Sequence, residues 1–221
     1  MKELLKTEII GILNAIQRST APKLTENLDE PDVVETSDYK FDIVDSKDGR
    51  PLREFKKGTA HYINGEEGNT YNLRIICYDD FLHRFTFDDG KGNAHVSRLK
   101  DGVKVSDFII YETTENKKYF IVHELSNERA DRKIKIARKQ LSDTLNQLFK
   151  SDAIARFINS FDSKLCYLSA KDKREIVSPG GIADAFAKPY KILPEPQPFN
   201  YGQIRTYHFK AFETSYVTLE K

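Results

Sequence analysis

The stretch VSDFIIYETTENKKYFIVHELSN, residues 105–127, decides the fold of this chain. It contains two apolar runs, FIIY and YFIV, joined by the polar segment ETTENKK, and this arrangement is typical of a β-hairpin. Each run is apolar at consecutive positions, so both faces of each strand are expected to be covered. We therefore predict two adjacent antiparallel strands, over 103–112 and 118–126, at the centre of a sheet.

The residues after the hairpin favour a helix over 128–149. One face of that helix carries apolar side chains at helical spacing, namely Ala130, Ile134, Ala137, Leu141, Leu145 and Leu148. Ser126 or Asn127 is the predicted N-cap, because both side chains can accept a hydrogen bond from the first turn. Glu128 and Asp131 suit the positive end of the helix dipole.

The remainder of the chain continues this alternation of helix and strand. DAIARFINSF predicts a second helix, and the apolar run KLCYLSAK, 164–171, predicts a buried strand in the same sheet as the hairpin. SPGGIADAFAKPY is a Gly- and Pro-marked turn with a short helix, and ILPEPQPF is expected to be extended. The final run, QIRTYHFKAFETSYVTLE, alternates and predicts a long strand or one arm of a hairpin.

Upstream of the hairpin, the sequence predicts one helix followed by short strands. Residues 3–18 place five apolar side chains on one helical face, namely Leu5, Ile9, Ile12, Leu13 and Ile16. Between 38 and 100, the runs YKFDIVD, TAHYING, TYNLRIICYD and LHRFTFDD alternate apolar and polar residues. Turns such as NGEEGN and DDGKGN separate these runs, and we predict an antiparallel β meander.

These elements predict an α/β fold with a mixed central sheet, helices on both faces and a preceding antiparallel meander. We expect a single domain, with the N-terminal helix and meander over 1–100. The core occupies 103–171, and 172–221 forms a C-terminal extension.

The composition indicates a folded protein with a core and excludes a polycation. Of 221 residues, 39% are hydrophobic and 11% aromatic, enough for a folded core. The net charge of +1 excludes a polycation, so any contact with nucleic acid must be local. Residues 25–48 hold nine acidic residues against two lysines, which predicts a solvated or mobile segment.

Targeting signals and cysteine usage favour the cytoplasm. The N-terminus carries Glu3, Lys6 and Glu8 among its apolar residues, which is typical of neither a signal peptide nor a membrane span. Cys77 and Cys166 both lie in apolar runs and are expected to be reduced core residues. We expect no membrane contact.

The order strand, strand, helix, strand between 103 and 171 resembles the core of the PD-(D/E)XK nucleases, the restriction-endonuclease-like fold. The resemblance covers about 70 of the 221 residues. Asp107 matches the Asp of that family, and Glu124 matches the Glu of its E-x-K tripeptide. Ser126 stands where the family has its lysine, and Ser106 stands where it often has a proline.

The resemblance implies a metal-dependent cleavage of phosphodiesters. Asp107 and Glu124 would be the ligands of Mg²⁺ or Mn²⁺, because hard divalent cations prefer oxygen ligands. The metal would polarise the phosphodiester and lower the pKa of a bound water. The family's lysine orients that water and offsets charge that develops on the phosphate.

Whether the two carboxylates can share a metal depends on the hairpin turn. A loop of even length, such as Thr113 to Asn116, pairs Asp107 with Val122 and puts Glu124 diagonally next to Asp107 on the same face. Their separation would then be roughly 5–8 Å. Ser126 points to that face too, because side chains two apart on a strand do so.

Three interpretations compete for the missing lysine. In the first, Lys133 or Arg138, which flank the apolar stripe of the helix, supplies the cation, and Ser126 supports the site or caps the helix. In the second, the site binds metal or nucleic acid without cutting. In the third, there is no site, and Glu124 belongs to a structural ion-pair network.

The sequence offers weaker support for a zinc site or for base-stacking tyrosines. The five histidines, at 61, 83, 95, 123 and 208, lack the spacing of zinc ligands. His123 alternates away from Glu124 and is expected to be a buried strand residue. Tyrosines of the meander could stack on bases, but alternating aromatic residues are more often part of the core.

The sequence therefore predicts a nuclease-like hydrolase, a Mg²⁺-dependent endonuclease if it is an enzyme, that acts on DNA in defence, restriction or repair. Its catalytic residues would be Asp107, Glu124, Ser126, and Lys133 or Arg138. The alternative is a non-catalytic module that binds nucleic acid or protein. The expected partner is DNA, with a second copy of the chain or a partner protein as the alternatives.

Overall fold

The computed structural model describes residues 1–26, 29–44, 52–126, 130–170 and 195–221. Its helices are α1 (Lys2–Ile16), α2 (Tyr78–His83), α3 (Asp131–Leu148), α4 (Asp152–Asn159) and α5 (Gly202–Thr206). Its strands are β1 (Val33–Thr36), β2 (Lys40–Ile43), β3 (Leu52–Arg53), β4 (Ala60–Asn64), β5 (Leu73–Cys77), β6 (Thr86–Phe87), β7 (Val96–Ser97), β8 (Phe108–Glu112), β9 (Tyr119–Ser126), β10 (Ser163–Ala170), β11 (Gln197–Pro198), β12 (Lys210–Glu213) and β13 (Tyr216–Leu219).

The central hairpin forms as the apolar runs predict, and it lies in the middle of a seven-stranded mixed sheet. The strand order is β1-β5-β8-β9-β10-β12-β11. β8 is antiparallel to β5 and to β9, whereas β10 is parallel to β9 and is reached through α3 and α4. The predicted α/β class and the order strand, strand, helix, strand are therefore confirmed.

The register of the hairpin differs from the predicted one by two residues. Phe108 lies opposite His123, so Asp107 lies opposite Glu124 rather than opposite Val122. The loop is longer because the main-chain groups of Lys117 and Lys118 have other partners. Their carbonyls accept hydrogen bonds from residues 162 and 163 at the start of β10, and the Lys118 amide donates to the Glu112 carboxylate (2.7 Å).

The two faces of the large sheet are covered differently. The described helices all pack on one face, where the buried side chains include Leu13, Phe120, Leu141 and Ile158. The other face packs against a four-stranded sheet of order β13-β4-β2-β3. In the described part of the chain, the expectation of helices on both faces is therefore wrong, because a second sheet covers one of them. No described helix is long and apolar enough to cross a membrane.

The predicted meander is divided between the two sheets. β2 and β4 pair antiparallel in the small sheet, but β5 leaves it and joins the large sheet between β1 and β8. The residues after β5 form α2 rather than more strand. Tyr78, Phe81 and Leu82 follow the i, i+3, i+4 spacing of a helix, and all three are buried.

The final alternating run is likewise not one strand. It begins with α5 and continues as β12, which pairs parallel with β10 in the large sheet. After Thr214 the chain crosses to the small sheet, where β13 pairs parallel with β4. The Thr214 amide donates to the Leu168 carbonyl (3.0 Å), and the Ser215 carbonyl accepts from the His61 amide (2.7 Å). The crossing point thus contacts both sheets.

Further expectations concern the N-cap of α3 and a short helix near the C-terminus. The N-cap of α3 is Ala130, without a side-chain hydrogen bond, and Ser126 lies in β9 opposite Ala170. The predicted Ser126 cap is therefore wrong. Asn127, Glu128 and the predicted short helix at 178–190 lie outside the described residues.

Residues 29–36 of the acidic segment are bound to the body of the protein through ion pairs. Glu30 contacts Lys2 (2.8 Å) and Lys6 (2.5 Å) on α1. Asp29 and Asp32 pair with Arg84, and Glu35 pairs with Arg74 across β1 and β5. This part of the segment is thus held by neighbouring cations, while side chains such as Asp32 and Glu35 remain exposed to solvent as expected.

A buried chain of hydrogen bonds joins the two sheets through His123. The Tyr62 hydroxyl donates to His123 Nδ1 (2.5 Å), and His123 Nε2 donates to Ser169 Oγ (2.8 Å). Ser169 Oγ in turn donates to the Thr214 carbonyl (2.5 Å), which fixes these directions. Burial lowers the pKa of His123 to about 3. The expectation of a buried strand residue is confirmed.

The His123 side chain should make the protein less stable in mild acid. Its pKa lies near 3 in the folded chain and near 6.5 when unfolded, so between these values the unfolded state binds more protons. The free energy of unfolding therefore falls as the pH falls, by about 2 kcal/mol between pH 7 and pH 5 from this residue. Urea unfolding followed by circular dichroism at the two pH values measures the loss.

The control for this prediction is His123→Gln, which can donate and accept hydrogen bonds but does not titrate. The variant should lose about 2 kcal/mol less than the wild type over the same pH interval. Equal losses in the two proteins would show that another group is responsible.

Candidate functional site

Asp107 and Glu124 face each other at the open end of the β8–β9 pair. The Leu125 amide donates to Asp107 Oδ2 (2.7 Å), and the Asp107 amide donates to Glu124 Oε2 (3.3 Å). These two hydrogen bonds continue the pairing of the strands beyond Phe108. Glu124 is only 4% exposed, and Asp107 is half-buried. Both carboxylates also take part in further interactions.

The backbone around Asp107 is held on both sides. The Ser106 amide donates to Thr144 Oγ1 of α3 (2.7 Å), and Gln140 Nε2 of α3 donates to the Val105 carbonyl (2.9 Å). The Tyr78 amide at the start of α2 donates to the Asp107 carbonyl (2.8 Å). The position of Asp107 is thus set by two helices and a strand before any ligand is considered.

The two carboxylates fit a magnesium site in which most of the remaining ligands are waters or phosphate oxygens. Mg²⁺ is commonly held by one or two carboxylates, with waters or phosphate oxygens as the remaining ligands. Asp107 and Glu124 can supply two such carboxylates on neighbouring strands. Within the described ranges, no cluster of three or more His, Cys, Asp or Glu side chains is arranged to hold a metal.

Ser126 lies on the same face of β9 as Glu124 and is 7% exposed. It is opposite Ala170 of β10 and takes part in interactions of its own. A neutral hydroxyl occupies this position two residues from Glu124, so Ser126 itself adds no positive charge there.

Arg138 lies on the other side of α3 and is bound away from Asp107. Its guanidinium contacts the Glu213 carboxylate of β12 (3.4 Å) and lies over the Phe199 ring, 4.7 Å from its centroid. Glu213 pairs in register with Leu168, which pairs with Glu124. Glu213, the partner of Arg138, is therefore separated from Glu124 by the one intervening strand β10.

Lys133 lies in the exposed first turns of α3. It precedes Thr144 by eleven residues, which is about 16 Å along the helix axis. Because Thr144 contacts the residue next to Asp107, Lys133 lies about three turns of α3 away from that contact. Among the residues that the structure describes, no hydrogen bond or ion pair joins Lys133 or Arg138 to either carboxylate.

The two cysteines and His61 are buried. Cys77 and Cys166 are free thiols in the core, as expected, and burial raises the pKa of Cys77 to about 12 and that of Cys166 further. Both thiols are therefore held in the unreactive protonated form. His61 forms a buried pair with Asp42 (Nδ1 to Oδ1, 2.8 Å), whose other oxygen accepts from the Gly58 amide.

The chain was compared with known protein families, curated proteins and solved structures. No family model, no curated protein and no solved structure matches the chain.

Three residues of this region were not anticipated from the sequence, namely Gln140, Thr144 and Glu213. Gln140 and Thr144 are one helical turn apart beside the apolar stripe of α3, and Thr144 is fully buried. A polar pair at this spacing next to a buried stripe is the signal that could have indicated a partner on the sheet. Glu213 could not be found in this way, because its partner depends on how β12 pairs.

The hydrogen bond between Ser106 and Thr144 should be important for stability. Thr144→Val keeps the shape of the side chain but leaves the buried Ser106 amide without its acceptor. We expect a loss of about 1–3 kcal/mol in the free energy of unfolding, measured by urea denaturation. The matched control is Thr7→Val on the exposed face of α1, which should change stability by less than about 0.5 kcal/mol. Similar losses in both variants would contradict this assignment.

Proposed function

We propose that the chain is a metal-dependent nuclease-like protein that acts on DNA. The observation that carries the proposal is the position of Asp107 and Glu124. They are opposite each other on adjacent antiparallel strands, and the main chain holds both carboxylates at one end of the sheet.

In this proposal, Asp107 and Glu124 would hold Mg²⁺ or Mn²⁺. The bound ion would polarise the scissile phosphodiester and lower the pKa of the attacking water. The residues of the chain orient the ligands. The Leu125 amide and the Asp107 amide each donate to one carboxylate, and this reduces the rotational freedom of both side chains.

The surroundings of the carboxylates support the same proposal. β5, β8 and β9 are successive antiparallel strands, α3 crosses the sheet, and β10 follows parallel to β9. This order agrees with the one that the family resemblance implies. The first turns of α3 also carry exposed cations, Arg132, Lys133 and Lys135, which are suited to phosphate contacts.

A second candidate function is a non-catalytic binding module with the same fold. The observation that favours it is the location of the cations: Arg138 is bound to Glu213 and Phe199, and Ser126 replaces the family's lysine. A site that lacks the cation can retain metal or nucleic acid binding and still turn over slowly or not at all.

The carboxylates provide the test of the proposal. Asp107→Asn and Glu124→Gln keep side-chain oxygens that can accept from the main-chain amides, but they remove negative charge from the metal site. Each change should lower Mg²⁺- or Mn²⁺-dependent cleavage of plasmid and single-stranded DNA by about 100-fold or more. Calorimetry should show weaker Mn²⁺ binding with the melting temperature nearly unchanged.

The matched control is Glu115→Gln in the exposed β8–β9 loop, which should cleave like the wild type. Unchanged Mn²⁺ affinity in both site variants would remove Asp107 and Glu124 as ligands. A large drop in melting temperature would assign them a structural role instead.

Ser126→Lys separates the enzyme from the module. The change places a cation on the same face as Glu124 and restores the E-x-K pattern. If the carboxylates are intact and only the cation is missing, the variant should gain activity by about 10-fold or more over the wild type. If a helix cation already acts, the gain should be small, and Lys133→Ala or Arg138→Ala should lower turnover by about 100-fold. No cleavage by either protein with several nucleic acids would favour the non-catalytic module.

A further inference from the structure

An open groove lies at the edge of the large sheet, on the side where β12 and β11 end the strand order. Its volume is about 480 Å³, which is in the range of small-ligand sites. The segment before α5 forms one wall, and β12 with the residue before it forms the other. The lining includes Phe199, Tyr201, Ile204, Phe209 and Phe212.

The aromatic residues of the groove differ in how far they are buried. Phe209 and Ile204 belong to the core, whereas Phe199, Tyr201 and Phe212 are half-buried. Phe199 and Tyr201 pack on the helix side of the sheet, where Arg138 lies over the Phe199 ring, and Phe212 packs on the opposite face. An aromatic surface that is partly open to water can hold a planar ring by stacking.

The charge of the groove is positive. Arg205 and Lys210, both exposed, line it, and its lining includes no carboxylate among the described residues. Arg205 donates to the Asn200 side chain (3.2 Å), which orients its guanidinium along the wall. The nearby Glu213 is paired with Arg138, which offsets its charge.

The groove continues into the basic side of α3. α5 packs on α3 through the hydrogen bond from Ser142 to Gln203 (2.6 Å) and the one from Tyr207 to Asn146 (2.7 Å). Lys135 and Lys139 precede Ser142 by seven and three residues, so they project from the same side of the helix. Both are exposed, although Lys139 also pairs with Asp143. Cations therefore extend from the groove along α3.

We propose that this groove binds single-stranded DNA, with a base stacked on the half-buried Tyr201 ring and the adjoining phosphates on Arg205 and Lys210. The inference rests on the proposed action on DNA and names a separate binding site for the substrate strand. Paired bases in a duplex keep their faces covered by neighbouring base pairs, so an aromatic groove selects unpaired bases. The cations along α3 track the backbone of the same strand.

The test measures binding in the absence of cleavage. A fluorescein-labelled oligothymidylate of about 12 nucleotides is titrated with the full chain in EDTA, and fluorescence anisotropy reports the affinity. The wild type should bind this strand at least about 10-fold more tightly than a duplex of the same length. Arg205→Gln combined with Lys210→Gln should weaken binding by about 10-fold and make its salt dependence shallower.

Two further variants separate stacking from charge. Tyr201→Leu keeps an apolar side chain in the groove but removes the ring, and it should weaken binding by about 5-fold or more without altering the salt dependence. The matched control for charge is Lys91→Gln, an exposed lysine in the β6–β7 turn, which should bind like the wild type. Groove variants that bind like the wild type, or tighter binding of the duplex, would overturn the proposal.

The outcome is independent of the metal site. The titration in EDTA contains no free divalent metal, and Asp107 lies on the opposite side of α3 from the groove, so binding in the groove does not require a metal at Asp107. Binding that depends on the groove without any cleavage would support the groove and reject the nuclease. Cleavage with unchanged binding in all groove variants would reject the groove alone.

Discussion

The antiparallel pairing of β8 with β9 is the constraint on which the rest of the structure depends. The two strands are buried along their whole length, and β9 carries β10 in parallel on its other edge. Their register places Asp107 opposite Glu124, and the two main-chain to carboxylate hydrogen bonds are possible only in that register. A shift by one residue would move every side chain of β9 to the opposite face, so that Glu124 would face the small sheet and His123 would face α3.

The same strand also connects the two layers of the protein. Glu124 points toward α3, whereas its neighbour His123 points toward the small sheet and meets Tyr62 there. A neutral histidine with both ring nitrogens in hydrogen bonds can be buried at little cost, but a charged one cannot. The neutral form of His123 therefore holds the sheets together while the adjacent residue remains at the candidate site.

The candidate site and the groove lie on opposite sides of α3, and this separation follows from how the helix packs. Gln140 and Thr144 fasten one side to the segment before β8, and Ser142 and Asn146 fasten the other side to α5. Arg138 belongs to the second side, where Glu213 and Phe199 contact it. In this proposal the groove binds the DNA strand, and the site at Asp107 and Glu124 on the other side of α3 cuts it.

The amino-acid sequence by itself determined the parts of this protein that depend on local periodicity. The apolar runs of β8, β9 and β10 and the helical stripes of α1 and α3 were predictable, because burial on one or both faces leaves a repeat in the sequence. Asp107 and Glu124 could be proposed as candidate metal ligands from the sequence, because the two apolar runs predict a hairpin that places them on neighbouring strand segments. The apolar residues of α2, Tyr78, Phe81 and Leu82, follow helical i, i+3, i+4 spacing within a run that otherwise suggested a strand.

Only the tertiary structure decided which strands share a sheet and which side chains meet. Whether β5 paired with β4 or with β8 depended on contacts between residues far apart in the chain, as did the division of the last run between β12 and β13. The partner of Arg138 depended on the position of β12, so its distance from Glu124 had no local signature. Pairing between distant strands depends on how much apolar surface the whole folded chain buries, and no local stretch of sequence determines that amount.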